Sequence, residues 1–91
     1  MEFQYEDGRV YAKDENGKLL AEVTFGCMED GTCNIDHTYV HPSLRNQGVA
    51  DQLLHEACGQ MRKQNKKAVP TCSYAVGWFR KNPSEADVLK D

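Results

Sequence analysis

The hydrophobic period of this chain changes once, near Pro42, and that change restricts it to a small set of folds. Before Pro42, apolar residues alternate. Leu19, Ala21, Val23, Phe25 and Cys27 share one side of an extended run, with Lys18, Glu22 and Thr24 on the other. That is the period of two expected of a half-buried strand. Phe3 and Tyr5 alternate with Glu2, Gln4 and Glu6, and Val10 and Ala12 alternate with Arg9, Tyr11 and Lys13. From Asn34 to Val40 the same alternation predicts Ile35, His37 and Tyr39 on one face and Asp36, Thr38 and Val40 on the other. Asp7-Gly8, Asn16-Gly17 and Asp30-Gly31 separate these runs as tight-turn dipeptides. Four antiparallel strands are therefore expected, the last ended by Pro42, which has no N–H to donate.

Beyond Pro42 the spacing becomes three and four. Val49, Leu53, Leu54, Ala57 and Met61 form an apolar stripe bordered by Cys58 and opposed by Gln52, Glu56, Gln60 and Lys63. This predicts an amphipathic helix of about four turns from roughly Gln47 to Gln64. Lys66 to Cys72 reads as a fifth strand, with Pro70 marking an edge position or a break. Tyr74 to Lys81 reads as a second helix, with Phe79 and either Ala75 or Val76 inward and Pro83 ending it. The remaining polar residues read as a short helix or a tail. A helix between the fourth and fifth strands calls for a parallel pair with a right-handed crossover. The expected class is α+β: an antiparallel four-strand meander, a helix, a parallel fifth strand and a second helix. At 91 residues, one domain spanning 1–91 is expected.

Composition narrows the function classes. Hydrophobic residues at 40% and charged residues at 27% suit a globular chain rather than a disordered one. No apolar run is long enough to span a bilayer, and Met1-Glu2-Phe3-Gln4 does not open a signal peptide. A cytoplasmic location and no membrane partner are therefore expected. For the four cysteines, Cys27, Cys33, Cys58 and Cys72, free thiols are the expectation. Cys27 and Cys33 flank a turn that would bring them close, yet small packing residues are the reading here rather than a disulfide or metal pair. The set Cys27, Cys33, His37, His41 and Cys72 has no tight zinc spacing, so no metal site is expected. Residues 1–41 carry three Lys/Arg against nine Asp/Glu, and residues 42–91 carry eight against five. The basic half suits an anionic ligand. No basic run interleaved with aromatics points to nucleic acid.

The junction itself, His41-Pro42-Ser43-Leu44-Arg45-Asn46-Gln47-Gly48-Val49-Ala50, places a glycine where a strand passes into a helix. Helix N-termini present unpaired N–H groups and bind anions, and glycine permits close approach to the backbone. Gly48 could equally serve only to ease the bend after Pro42. Neither a dinucleotide fingerprint nor a Walker loop is present. The stretch Val40-His41-Pro42-x-x-Arg45-x-x-Gly48-Val49-Ala50-x-x-Leu53-Leu54 resembles the acyl-CoA-binding motif of GNAT acetyltransferases. Asn34-Ile35-Asp36-His37-Thr38 and Cys72-Ser73-Tyr74 resemble the small stand-alone members of that family (the YjdJ type), a likeness running from about Tyr11 to Pro83. The resemblance implies a GNAT-like fold with the pyrophosphate of CoA or acetyl-CoA on the turn Arg45, Asn46, Gln47, Gly48, Val49 and Ala50. It also implies a pantetheine arm along Tyr39 and Val40, a splay between the fourth and fifth strands, and a Val40 N–H that polarises the thioester carbonyl. Ser73 and Tyr74 are expected beside the cofactor.

Acetyl transfer to an amine needs a proton acceptor. His37 titrates in the right range as a residue type, and Cys72 sits between a strand and a helix, where a helix N-terminus favours thiolate. The pair could work as base and acid, or Cys72 could carry the acetyl group transiently. His37 as a hydrogen-bonded sheet residue and Cys72 as a small buried one are the structural alternatives. Tyr74 could protonate the leaving thiolate or merely pack. Larger GNAT enzymes shape an acceptor pocket with N-terminal helices and C-terminal strands, and neither is expected within these 91 residues. The acceptor is thus an unidentified amine, small or on a protein, and a monomer or weak dimer is expected. A non-catalytic acyl-CoA-binding module is the alternative function, and a protein-interaction domain with a vestigial turn a third.

Overall fold

The computed structural model describes residues 1–90. Four antiparallel strands, β1 (Gln4–Glu6), β2 (Arg9–Lys13), β3 (Leu19–Cys27) and β4 (Thr32–Val40), form a meander. A 3-10 turn (Pro42–Leu44) leads into α1 (Val49–Lys63), then β5 (Lys67–Pro70), α2 (Ser73–Lys81) and a second 3-10 segment (Pro83–Val88). The sheet order is β1-β2-β3-β4-β5, with β5 parallel to β4 at the edge. Both helices lie on one face. Val49, Leu53, Leu54, Ala57, Cys58 and Met61 of α1 and Ala75, Trp78 and Phe79 of α2 share a core with Val10, Ala21, Val23, Phe25 and Ile35 of the sheet. Among the described residues the opposite face has no helical cover. Tyr11 is nonetheless buried there, under the Arg9 guanidinium 3.8 Å from its ring centroid. No helix among the described residues is long and apolar enough to cross a membrane.

Two irregularities break simple alternation, one in β3 and the other in β4. In β3 Leu20 is an extra residue, since Ala12 pairs with Ala21 but Lys13 with Leu19, which takes Leu19 off the face expected for it. Asp36 is an extra residue in β4: Phe25 pairs with Ile35, but Thr24 pairs with His37. Such a bulge advances the strand by one residue and reverses the alternation beyond it. Ile35 therefore enters the core while His37 faces outward with Glu22, and Thr38 and Val40 lie on the helix side, paired with Val23 and Ala21. The single face expected for Ile35, His37 and Tyr39 is corrected on this point.

Cys27 and Cys33, expected as free thiols, are joined in a disulfide. They are opposite one another across β3 and β4. The neighbouring bond from Met28 N to Thr32 O makes theirs a non-hydrogen-bonded pair, the register in which facing side chains come closest. Cys58 is buried, and burial pushes its thiol up to about 12. Without reductant, alkylation of the folded chain is expected to label Cys72 alone. Unfolding should expose a second thiol, and reduction four in all. Intact-mass measurement checks this, and four thiols without reductant would mean that the bridge does not form.

The C-terminal residues are neither a free tail nor an ordinary helix. Val88 is buried, Leu89 bridges Ala68 in parallel, and Lys90 N donates to Ala68 O. Arg62 pairs with Glu85 and Asp87 and ties this segment to α1.

Candidate functional site

The strand-to-helix junction is built from unpaired backbone. Asn46 and Gly48 both take left-handed conformations, at φ 65° and 75°. Gly48 is the α1 N-cap and has no side chain to cap with. The first helical bond is from Gln52 N to Gly48 O, so the N–H groups of Gly48, Val49, Ala50 and Asp51 have no acceptor among the described residues. They converge where the helix dipole is positive. A Cβ built on Gly48 would meet nothing within 4 Å, so glycine is needed there for its φ and for access rather than for lack of room. Donors of this kind fit a pyrophosphate.

A groove of about 320 Å³ opens beside them, lined by Val40, Leu44, Arg45, Asn46, Gly48, Val49, Ala50 and Tyr74. Six of the expected turn and strand residues thus share one wall with Tyr74. Gln47 does not: its side-chain amide folds back onto Ser43 O at 3.2 Å. Ser73 stands at the first position of α2, exposed and outside this groove. The Tyr39 side chain belongs to the outer face in register with Glu22. Leu44 was not singled out from the sequence. Its apolar character marks it only once the 3-10 turn is seen to fold it under the junction.

Below the groove the sheet opens. Strand β5 pairs with β4 only from Thr32 to Ile35. There Thr71 N and Cys72 N both donate to Ile35 O, and the chain turns away into α2. On the other side of β4, His41 N donates to Leu20 O, so residues 37, 39 and 41 bond toward β3 by alternation. The main-chain groups of Thr38 and Val40 consequently point into the gap, with no strand beside them among the described residues. Cys72 caps α2 at the rim of this gap: Sγ accepts from Ala75 N at 3.4 Å and lies 3.6 Å from Thr38 Oγ1. Thr38 escaped the sequence reading because only the bulge brings it to the helix side. His37 stands on the opposite face, its Nε2 3.4 Å from Glu22 Oε1. The thiol and the imidazole flank the gap from its two faces and have no contact with one another.

Tyr74 is partly exposed. Burial, and then the nearby Asp51 charge, raise its phenol, which stays protonated at neutral pH. Asp51 is itself held aside by Trp78 Nε1 at 2.7 Å and His55 Nε2 at 3.5 Å. His41 takes a structural part, with Nδ1 accepting from Ser43 N. Among the described residues no group of three or more His, Cys, Asp or Glu could hold a metal ion.

The capping role of Cys72 separates two substitutions. Cys72→Ser keeps an N-cap acceptor and should leave stability within about 0.5 kcal/mol, whereas Cys72→Ala should cost about 1 kcal/mol. Urea unfolding midpoints check the difference, and equal midpoints would deny the cap any weight.

A family model described as GCN5-related N-acetyl-transferase matches residues 9–88. The solution structure of a GCN5-like protein from Staphylococcus aureus superposes with a TM-score of 0.80 at 32% identity, covering 98% of this chain and 87% of that one. Tetrahymena GCN5 gives 0.66 at 17% identity, covering 80% and 48%. A GNAT-family N-acetyltransferase from Escherichia coli, solved in complex with CoA, gives 0.62 at 20% identity, covering 74% and 41%. With the last two the likeness is one of fold, and the match spans less than half of their length. No curated protein matches the chain.

Proposed function

The chain belongs to the GCN5-related N-acetyltransferase family, and on that footing we propose that it is an acetyl-CoA-dependent N-acetyltransferase acting on an amine. One observation carries the assignment of the site: the unpaired N–H row from Gly48 to Asp51 stands beside a gap into which the free main chain of Thr38 and Val40 points. The turn Arg45–Ala50 binds the pyrophosphate, with Arg45 supplying a positive charge at the groove wall. The free edge of β4 pairs with the pantetheine amides, as any unpartnered strand can. Bound acetyl-CoA supplies an activated acyl group.

The chain's own residues divide the remaining work by face. Val40 N–H is placed to stabilise charge developing on the acyl oxygen. His37, on the uncovered face, takes the proton of the attacking amine. Cys72, on the helix side, returns a proton to the departing sulfur, with Tyr74 as a second donor nearer the groove. The uncovered face is open, which suits an amine on a bulky molecule or protein.

The test has two stages. Calorimetric titration with CoA should show one site per chain, and no binding would leave the interaction-domain reading. Incubation with acetyl-CoA and a panel of amines and peptides should release free CoA. Binding without release for any acceptor would leave the non-catalytic acyl-CoA-binding module.

A further inference from the structure

The uncovered face of the sheet carries a connected row of side chains of which the proposed reaction uses one. Strand register sets Arg9 opposite Thr24 and Thr24 opposite His37, with Glu22 in the adjoining rung. Glu22 Oε2 accepts from Arg9 Nε. The same guanidinium reaches Glu6 at 3.5 Å and lies over the Tyr11 ring, whose hydroxyl is within hydrogen-bonding distance of Gln4 and Glu6. The other carboxylate oxygen of Glu22 stands 3.4 Å from His37 Nε2, and the Glu22 side chain is 16% exposed against 53% for His37. The carboxylate is thus held from behind, while the imidazole is the accessible partner.

We propose that Glu22 is a positioning residue for His37, an inference that rests on His37 being the base of the acetyl transfer. Nε2 and Oε1 stand at ion-pair distance without a hydrogen bond between them, so the carboxylate acts through its charge. It favours a proton on the near nitrogen, Nε2, and leaves the Nδ1 lone pair to accept the amine proton. After the transfer the carboxylate, shared with the Arg9 guanidinium, still faces the charged ring. The other charged neighbours are already engaged. Asp36, beside His37 on β4, accepts from Thr24 Oγ1 at 2.7 Å, and on β2 the Arg9 guanidinium is shared between Glu22 and Glu6 of β1. β5 does not extend alongside His37, and both helices lie on the other face. Glu22 is therefore the one carboxylate that faces the ring directly among the described residues.

A double-substitution cycle tests this. Glu22→Gln, which keeps size and packing, should lower kcat about 10-fold with KM for acetyl-CoA unchanged, within the range open to general-base catalysis. In a His37→Ala background the same change should alter kcat less than about twofold, because the effect passes through the imidazole. An equal loss in both backgrounds would show a structural role through Arg9 and overturn the proposal. A second measurement needs no turnover. In protein carrying ¹⁵N-labelled histidine at about pH 8, where imidazoles are ordinarily neutral, the His37 ring should hold its proton on Nε2. In Glu22→Ala it should average between the two tautomers, with His41 and His55 unchanged. A ring that averages in both proteins overturns the proposal. If the unaltered protein acetylates no amine, the ring measurement still decides the placement by Glu22, while the acetyl-transfer reading fails separately.

Discussion

Gly48→Glu is expected to abolish CoA binding in a chain that still folds. Two costs combine. The position holds φ 75°, and a residue with a Cβ is strained there by roughly 1–2 kcal/mol. The fold tolerates this, because nothing lies within 4 Å of where the Cβ would stand. The larger cost is electrostatic. A carboxylate carried at the α1 N-cap would satisfy the same N–H groups that are to receive the pyrophosphate. It would also repel the pyrophosphate by about 4 kcal/mol at 4 Å in a partly solvated site. A loss of at least 100-fold in calorimetric affinity follows, while thermal unfolding stays cooperative. Gly48→Ala carries the strain without the charge and should lose far less. If Gly48→Glu binds CoA as the unaltered chain does, the cofactor does not sit on this turn.

His37→Ala should leave CoA affinity within about twofold and lower kcat by about 10²–10⁴-fold, the range that a positioned general base contributes. The side chain is 53% exposed on the uncovered face and takes no part in the core, so stability should change by less than about 0.5 kcal/mol. The combination is informative because the two faces of β4 are chemically separate. A substitution on the helix side, at Thr38 or Cys72, touches the α2 cap and the core, and its kinetic effect mixes with packing. A substitution at His37 does not. Stopped-time assays of CoA release with one productive amine, run beside calorimetry, give both quantities. An unchanged kcat would remove His37 from the mechanism and leave the thiol side of the gap as the seat of proton transfer.

Much of this architecture was legible in the sequence, and for a definite reason. Strand β3 alternates from Ala21 to Cys27, α1 keeps its apolar stripe through four turns, and each turn between strands carries a glycine at positive φ. These are local signals, each set by residues a few positions apart. The motif at Gly48 was legible for the same reason, since the role proposed for it needs only consecutive main-chain donors at the start of a helix. The C-terminal segment was not. Its polar composition hides Val88, which is buried only because β5 offers an edge and Arg62 a partner for Glu85 and Asp87.

The sequence by itself determined the order of elements, the antiparallel meander, the parallel fifth strand and the glycine at the helix start. Alternation, turn chemistry and helical spacing act through neighbours along the chain, so they can be read along it. Tertiary structure alone decided which side of the gap each reactive group occupies. One extra residue at Asp36 turns His37 away from the face its spacing predicts and toward Glu22, and brings Thr38 against Cys72. It also decided that Cys27 and Cys33 meet. A bulge and a cross-strand register depend on how two distant segments align, and alignment is set by the core they bury together rather than by either segment alone.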